Sequence, residues 1–352
     1  IGLSASLLRH EQGYRGAGVS SYIQRLLHGL AQCAGDHAFT VFHSRAALPV
    51  DGALPPSLTM RPTAWPVRHA PLRLLWEATA LPLASRQLDL LHVPVNVLPP
   101  WLPCPGVVTV HDLAFMRYPQ VVAPLRRRYL EHAVRASARR AAAVIAVSAC
   151  TRGDLIEMWD IPAARVHVVY PAIDPACRPI TDAAAQAAFV ARHGLARPYI
   201  LFLGTLEPRK NLATLIDAFA LARDRGLRGY DLVLAGAQDW QGGRYVAALR
   251  EQMHRRGIAD HVRLPSYIAD AERTLWYNGA SVVVLPSWYE GFGFPAAEAL
   301  ACGVPVIAAR TGSLPEVVGA GGWLCDPADG DAWATALCQV SAAPDLRAHC
   351  QA

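Results

Sequence analysis

The feature that most narrows what this chain can become is an alternation, run through twice, between short apolar segments and longer stretches whose apolar residues recur at helical spacing. In the first half, 38–42, 88–93, 107–111, 143–147 and 166–170 are predicted strands. Between them, 19–34, 71–85, 124–140 and 149–159 are predicted helices, several with Pro or Ser near their starts. Continuous apolar runs of this length suit strands covered on both faces, and repeated strand–helix units imply a parallel sheet with helices on either side. The pattern weakens over 171–198, where Pro171, Pro175, Pro179 and Pro198 flank an Ala-rich helical piece. A second series follows, with strands predicted at 199–203, 231–235, 262–264, 281–285, 304–308 and 323–325. The expectation is an α/β protein of two doubly wound domains, 1–172 and 198–352, joined by a linker at 173–197.

The bulk properties agree with this. A chain of 352 residues exceeds one ordinary core and suits two domains of ~100–200 residues each. Hydrophobic residues at 53% and charged residues at 17% supply the apolar surface for both. No apolar stretch approaches the ~20 residues that span a bilayer, and nothing at the start resembles a secretory leader, so the expectation is a cytoplasmic chain. The eight cysteines are scattered, with no C-x-x-C pair and no Cys/His cluster, which predicts free thiols and no metal site. A formal charge of +5 argues against a dedicated nucleic-acid binder and suits anionic ligands. Of the 33 lysines and arginines, one alone is lysine, Lys210.

In open parallel sheets ligands bind beyond the C-terminal strand ends, where loops enter helix N-termini. Two junctions in the second half carry suitable residues. The first follows the strand at 199–203 and reads Gly204-Thr205-Leu206-Glu207-Pro208-Arg209-Lys210-Asn211 before a helix. Gly204 allows a tight turn, and Arg209 and Lys210 stand beside a helix start whose free N–H groups already favour anions, an arrangement able to clamp a diphosphate. A solvated helix start carries cations as well; the strand–Gly–loop–helix setting and the solitary lysine favour the clamp.

The second junction follows the strand at 281–285 and reads Pro286-Ser287-Trp288-Tyr289-Glu290-Gly291-Phe292-Gly293-Phe294, then a helix predicted at 295–301 and ended by Gly303. Glu290 is expected in the loop and Glu298 in the first helical turn, so that two carboxylates converge on the strand end. Gly291 and Gly293 leave the backbone open to a phosphate or sugar, and a carboxylate is a natural reader of vicinal hydroxyls. A surface Glu298 and purely turning glycines would leave the same local pattern.

The stretch YEGFGFPAAEALACGVPVIAARTGSLPEVVG, with Glu290 and Glu298 eight residues apart, together with LGTLEPRKNLATLIDAF, resembles the retaining glycosyltransferases of family 4, which have the GT-B fold. The resemblance extends to VVTVHDLAFMRYP and to AVIAVSACTRGDL…VHVVYPAID and spans most of the chain. It implies two Rossmann-like domains facing across a cleft, an N-terminal acceptor domain and a C-terminal nucleotide-sugar domain. It further implies that Arg209 and Lys210 hold the donor diphosphate, that Glu298 grips the ribose, and that Glu290 with Gly291, Phe292, Gly293 and Phe294 faces the donor sugar. Tyr267 and Ile268 would touch the base, His111 would point towards the sugar, and the loop 13–18, with Gly16 and Gly18, would lie under the phosphates. Taken alone, His111 at a strand end reads as a packed or capping residue.

A diphosphate leaving group needs its charge stabilised as the C1 bond breaks, and two fixed cations with a helix N-terminus supply that without a metal. With no D-x-D motif present, the expectation is metal independence, no cofactor, and a nucleotide-sugar donor, GDP- or UDP-linked with a lean to mannosyl transfer. The expected acceptor is a saccharide or a lipid-linked saccharide, in polysaccharide or glycoconjugate synthesis. The Arg-rich helix at 124–140 either lies on an anionic membrane, at its inner face, or is a solvated face. The alternatives for the whole are a nucleotide-sugar epimerase or phosphorylase, with Lys210 then a pyridoxal phosphate candidate, and a non-catalytic sugar-nucleotide-binding subunit. The resemblance further implies a final helix that returns to the first domain, an element expected to lie beyond Ala352.

Overall fold

The computed structural model describes residues 1–8, 17–45, 57–67, 69–238, 240–266 and 268–342. The chain divides into two compact units, Ile1–Ala172 and Ile173–Ala352. In the first, the strands are β1 (Gly2–Ala5), β2 (Phe39–Ser44), β3 (Leu58–Thr63), β4 (Leu91–Val93), β5 (Gly106–Val110), β6 (Ala143–Ala146) and β7 (Val166–Val168). The helices between them are α1 (Ala17–Cys33), α2 (Ala70–Ala78), α3 (Ala80–Ala84), α4 (Ala114–Arg117), α5 (Pro124–Arg140) and α6 (Ala149–Trp159). The sheet order is β3-β2-β1-β4-β5-β6-β7, every pair parallel, with the winding direction reversing between β1 and β4. Alternation along β2 sends Val41 into an apolar cluster with Leu3, Tyr22 and Ile23 and sends Phe42 into another with Trp76, Val108 and Trp159.

Two strands escape the sequence pattern. β1 is only four residues long, with Leu3 its one large side chain, and β3 is an edge strand whose exposed half, including Pro62, interrupts the apolar run. The predicted helix 71–85 is broken into α2 and α3, because Pro82 has no N–H to offer the carbonyl of Ala78. The Trp101 indole N–H donates to that carbonyl instead, at 3.1 Å.

The second unit opens with α7 (Ala183–Arg192) and continues β8 (Tyr199–Leu203), α8 (Leu212–Asp224), β9 (Asp231–Ala235), α9 (Arg244–Arg255), β10 (Val262–Arg263) and α10 (Asp270–Gly279). It ends with β11 (Val282–Leu285), α11 (Phe294–Ala301), β12 (Val306–Ala309), α12 (Leu314–Val318), β13 (Gly322–Cys325) and α13 (Gly330–Ala342). The sheet order is β10-β9-β8-β11-β12-β13, again all parallel, with the reversal between β8 and β11. Both units are therefore doubly wound, Rossmann-like α/β domains.

The stretch 173–197, expected as a linker from its prolines, belongs to the second unit. Cys177, Phe189 and Leu195 are buried in one core cluster with Tyr199, Trp276 and Phe219. The N–H of Ile180 and the side-chain amide of Gln186 bond to α10, through the Asn278 side chain and the Leu275 carbonyl. Prolines at its margins mark turns, while Phe189 on the Ala-rich helix supplies the apolar side chain that docks it.

Candidate active site

Adjacent strands β8 and β11 flank the point of reversal, where open parallel sheets bind ligands beyond their C-terminal strand ends. Backbone and side-chain bonds tie the two loops together. The Trp288 N–H donates to the Arg209 carbonyl at 2.9 Å. Buried Asn211 donates from Nδ2 to the carbonyls of Pro286 at 3.1 Å and Pro327 at 2.7 Å. Its left-handed backbone, φ 55°, ends the short 3₁₀ turn Pro208–Lys210 and lets α8 begin.

Within this frame Glu290 is the hub. Lys210 Nζ donates to its Oε1 at 2.6 Å, and Ser287 Oγ donates to the same oxygen at 2.6 Å. Arg209 Nη1 donates to Oε2 at 3.1 Å and to the Tyr289 carbonyl at 2.5 Å, while its Nη2 and Nε reach Glu207 Oε1 at 2.7 and 3.1 Å. The Glu290 carbonyl accepts from the N–H and the hydroxyl of Ser313 at 3.1 and 3.0 Å. Preceding Ser313 is Gly312, φ 57°, where a Cβ would stand 2.7 Å from the Glu290 carbonyl oxygen and 2.9 Å from its nitrogen. Only glycine lets the two backbones approach so closely.

Glu290 is 7% exposed. Burial alone would push its carboxyl up, but the Lys210 and Arg209 cations, with the hydrogen bonds from Lys210 and Ser287, outweigh it and hold the pKa at about 2. The carboxylate is thus ionised at any physiological pH and keeps two cations assembled at the strand end. An ammonium carries three hydrogens, so Lys210 can serve a ligand oxygen while it holds Glu290.

Gly204 lies in the turn after β8, its N–H donating to Ala235 at 3.0 Å. Beside it sits Gly236, φ 138°, where a Cβ would fall 1.9 Å from the Gly204 carbonyl oxygen. The first loop therefore depends on a glycine in the neighbouring strand's exit, a dependence invisible to a local reading.

Glu298 departs from its expectation as a first-turn residue beside Glu290. It lies in the second turn of α11 and is 3% exposed. Its Oε1 accepts from Arg273 Nη1 at 3.2 Å and its Oε2 from the Tyr277 hydroxyl at 3.0 Å, both from α10. Burial pushes the Tyr277 phenol up, and the Glu298 charge adds to that. Gly291, Phe292 and Gly293 are buried where open backbone was expected. Phe292 and Phe294 meet edge to face at 5.2 Å, and Gly293 caps α11 at φ 90°.

In the first unit His111 follows β5 and is half-buried, its backbone N–H donating to Asn96 Oδ1 at 2.8 Å and its Nε2 bonded to the Pro94 carbonyl at 2.9 Å. Gly18, expected in a loop, lies in the first turn of α1, while Gly16 and the rest of 13–16 fall outside the described residues. Tyr267 also lies outside them, and Ile268 is buried in the core of the second unit. Ser287 and Asn211 stand in the two junctions with no role legible there, and Gly236, Arg273 and Tyr277 carry no local signal in the sequence. Gly312 and Ser313 were within the YEGFGFP…VVG stretch and went unremarked. Among the described residues no group of three or more His, Cys, Asp or Glu side chains could hold a metal ion, and no helix is long and apolar enough to cross a membrane.

Comparison with known proteins follows the same division. Residues 16–176 match the model of Glycosyltransferase Family 4, and residues 186–352 match that of Glycosyl transferases group 1. The chain is similar to O-antigen chain mannosyltransferase B of Escherichia coli, 34% identical over 64% of this chain and 58% of that protein. It is also similar to D-inositol 3-phosphate glycosyltransferase of Salinispora arenicola, 34% identical over 69% of this chain and 57% of that protein. The match thus spans little more than half the length of these curated relatives. Sucrose-phosphate synthase from Thermosynechococcus elongatus shares the fold, with a TM-score of 0.74 at 22% identity, covering 100% of this chain and 92% of that one. With both halves matched in order and each a doubly wound domain, the chain belongs to the group 1, family 4 glycosyltransferases, of GT-B fold.

Proposed function

We propose that the chain transfers a hexosyl group from a nucleotide-diphosphate sugar, with the donor held by the second unit at the β8/β11 reversal. The observation that carries this reading is the pair of cations, Arg209 and Lys210, fixed on a buried ionised Glu290 where an open parallel sheet binds its ligands. In the proposed reaction the bond from C1 to the diphosphate oxygen breaks while the acceptor hydroxyl oxygen bonds C1 from the same face. The leaving phosphate oxygen takes the hydroxyl proton, and configuration is retained. Arg209 and Lys210 stabilise the charge on the departing diphosphate, which makes a divalent cation unnecessary. Glu290 organises the cations and orients the donor sugar. Glu298, held by Arg273 and Tyr277, is the proposed ribose reader, and His111 of the first unit the proposed partner of the sugar.

A mannosyl donor is the preferred choice, supported by the relative named for mannosyl transfer. The proposed acceptor is a saccharide or lipid-linked saccharide bound by the first unit, on the cytoplasmic side of an anionic membrane. α5 supports the membrane contact: Leu125, 83% exposed, and Tyr129, 47% exposed, stand one turn apart beside exposed Arg126 and Arg128.

The test is donor hydrolysis and transfer with GDP-mannose, UDP-glucose, UDP-galactose and UDP-N-acetylglucosamine in the presence of EDTA, with NMR assignment of the product anomer. One donor turned over with retention supports the reading. Binding without turnover of any donor and acceptor would make the chain a sugar-nucleotide-binding subunit, and inversion or an EDTA-sensitive rate would refute the mechanism.

A further inference from the structure

The surroundings of His111 fix more than its place. Its Nε2 faces the Pro94 carbonyl at 2.9 Å, and a carbonyl only accepts, so Nε2 carries the hydrogen. The backbone N–H of the same residue donates to Asn96 Oδ1, so the segment after β4 grips His111 at ring and main chain together. From α1, the Tyr22 ring stands edge to face against the imidazole, centroids 4.8 Å apart at 88°. Tyr22 is itself anchored: its hydroxyl lies 3.3 Å from Thr109 Oγ1, which lies 2.9 Å from His92 Nε2. α1, β4, β5 and the β4 exit thus converge on one side chain.

We propose that the Pro94 carbonyl holds His111 as the Nε2–H tautomer, with Asn96 and Tyr22 as the positioning residues that keep the ring against that carbonyl, leaving Nδ1 as its hydrogen-bond acceptor, so that the ligand group it meets is an O–H donor such as a sugar hydroxyl. That the ring meets a ligand rests on the proposed function; the tautomer does not. Burial pushes the imidazole down from its usual 6.5, against the opposing pull of the Pro94 carbonyl and Asp112. The titratable groups facing it are Asp112 beside it, Tyr22 from α1, and His92 of β4, which burial and the His111 charge hold down at about 4. Neutral His111 offers Nδ1 as an acceptor, which a protonated ring would not.

Long-range ¹H–¹⁵N correlation on ¹⁵N-histidine-labelled protein, with His111→Asn for assignment, reads the tautomer directly and needs no ligand. The expected wild-type spectrum at pH 7 is a neutral His111 protonated at Nε2. Asn96→Ala should mix the tautomers and lower kcat for donor turnover about tenfold with little change in donor KM, and Asn96→Asp, which keeps an oxygen acceptor, should restore both. Tyr22→Phe, which keeps the ring and removes its anchor, should lower kcat less than Tyr22→Leu. A Nδ1–H ring in the wild type would overturn the proposal, as would an Asn96→Ala protein with unchanged spectrum or unchanged kcat. Absence of any donor turnover by the wild type would strike the proposed function instead, while the ring spectrum would still decide the tautomer.

Discussion

Lys210 and buried Glu290 are joined at 2.6 Å, so removing either one exposes what the pair contributes. Lys210→Ala leaves a buried carboxylate with Arg209 and Ser287 as partners, so a stability loss on the order of 1–3 kcal/mol is expected in urea titration. Because folding holds the Glu290 pKa near 2, below the free carboxyl's 4.5, its contribution is fully present above pH 4.5 and is lost as pH falls towards 2. Acid unfolding of Glu290→Gln should lack that component, and an acid transition identical to wild type would contradict the assignment. Both residues were legible in the sequence, since the solitary lysine and the E-G-F-G-F loop stand at strand ends. Their direct pairing was not, because the stretch between them, which places them 80 positions apart, carries no local sign that two loops meet. Glu298 was legible as a residue of the α11 helix but a turn too early, and its partners Arg273 and Tyr277 come from α10, whose approach only packing determines.

Among the elements, the loops at the β8/β11 reversal depend on backbone contacts that side chains would prevent. Gly236→Ala should cost about 1–3 kcal/mol and weaken ligand binding, since the added methyl meets the Gly204 carbonyl. A Gly229→Ala control, where a Cβ meets nothing within 4 Å, should be nearly neutral. Comparable thermal stability for the two variants would argue against a close approach. In the first unit, buried His92 is held at about 4 against an unperturbed 6.5, so protonation favours unfolding and stability falls as pH drops from 6.5 towards 4. His92→Gln should flatten that interval in a stability–pH profile. The parallel strands were legible wherever both faces are covered, as in β9 and β11. β1 and β3 were missed because one is only four residues with a single large apolar side chain, Leu3, and the other is a half-exposed edge.

At the level of the whole molecule, each unit has its own sheet and buried core, and the boundary at Ala172 sets a fragment prediction. A fragment beginning at Ile173 should unfold cooperatively, whereas one beginning at Pro198 lacks Phe189 and should be markedly less stable by thermal denaturation. Equal stability would return 173–197 to the status of a linker. The two-fold α/β plan and the end of the first unit at 172 were readable because they rest on repeated apolar periodicity; 173–197 reads as a linker in the sequence because prolines signal turns and not which core a neighbouring helix joins. Whether Arg209, Lys210 and Glu290 form the donor site is decided by calorimetric titration of GDP-mannose, with UDP-sugars in parallel, into wild type, Lys210→Ala and Glu290→Gln. Binding of one sugar nucleotide by the wild type, in EDTA, is expected, weakened on the order of 10-fold or more by each substitution. Undiminished affinity in both folded variants would contradict it.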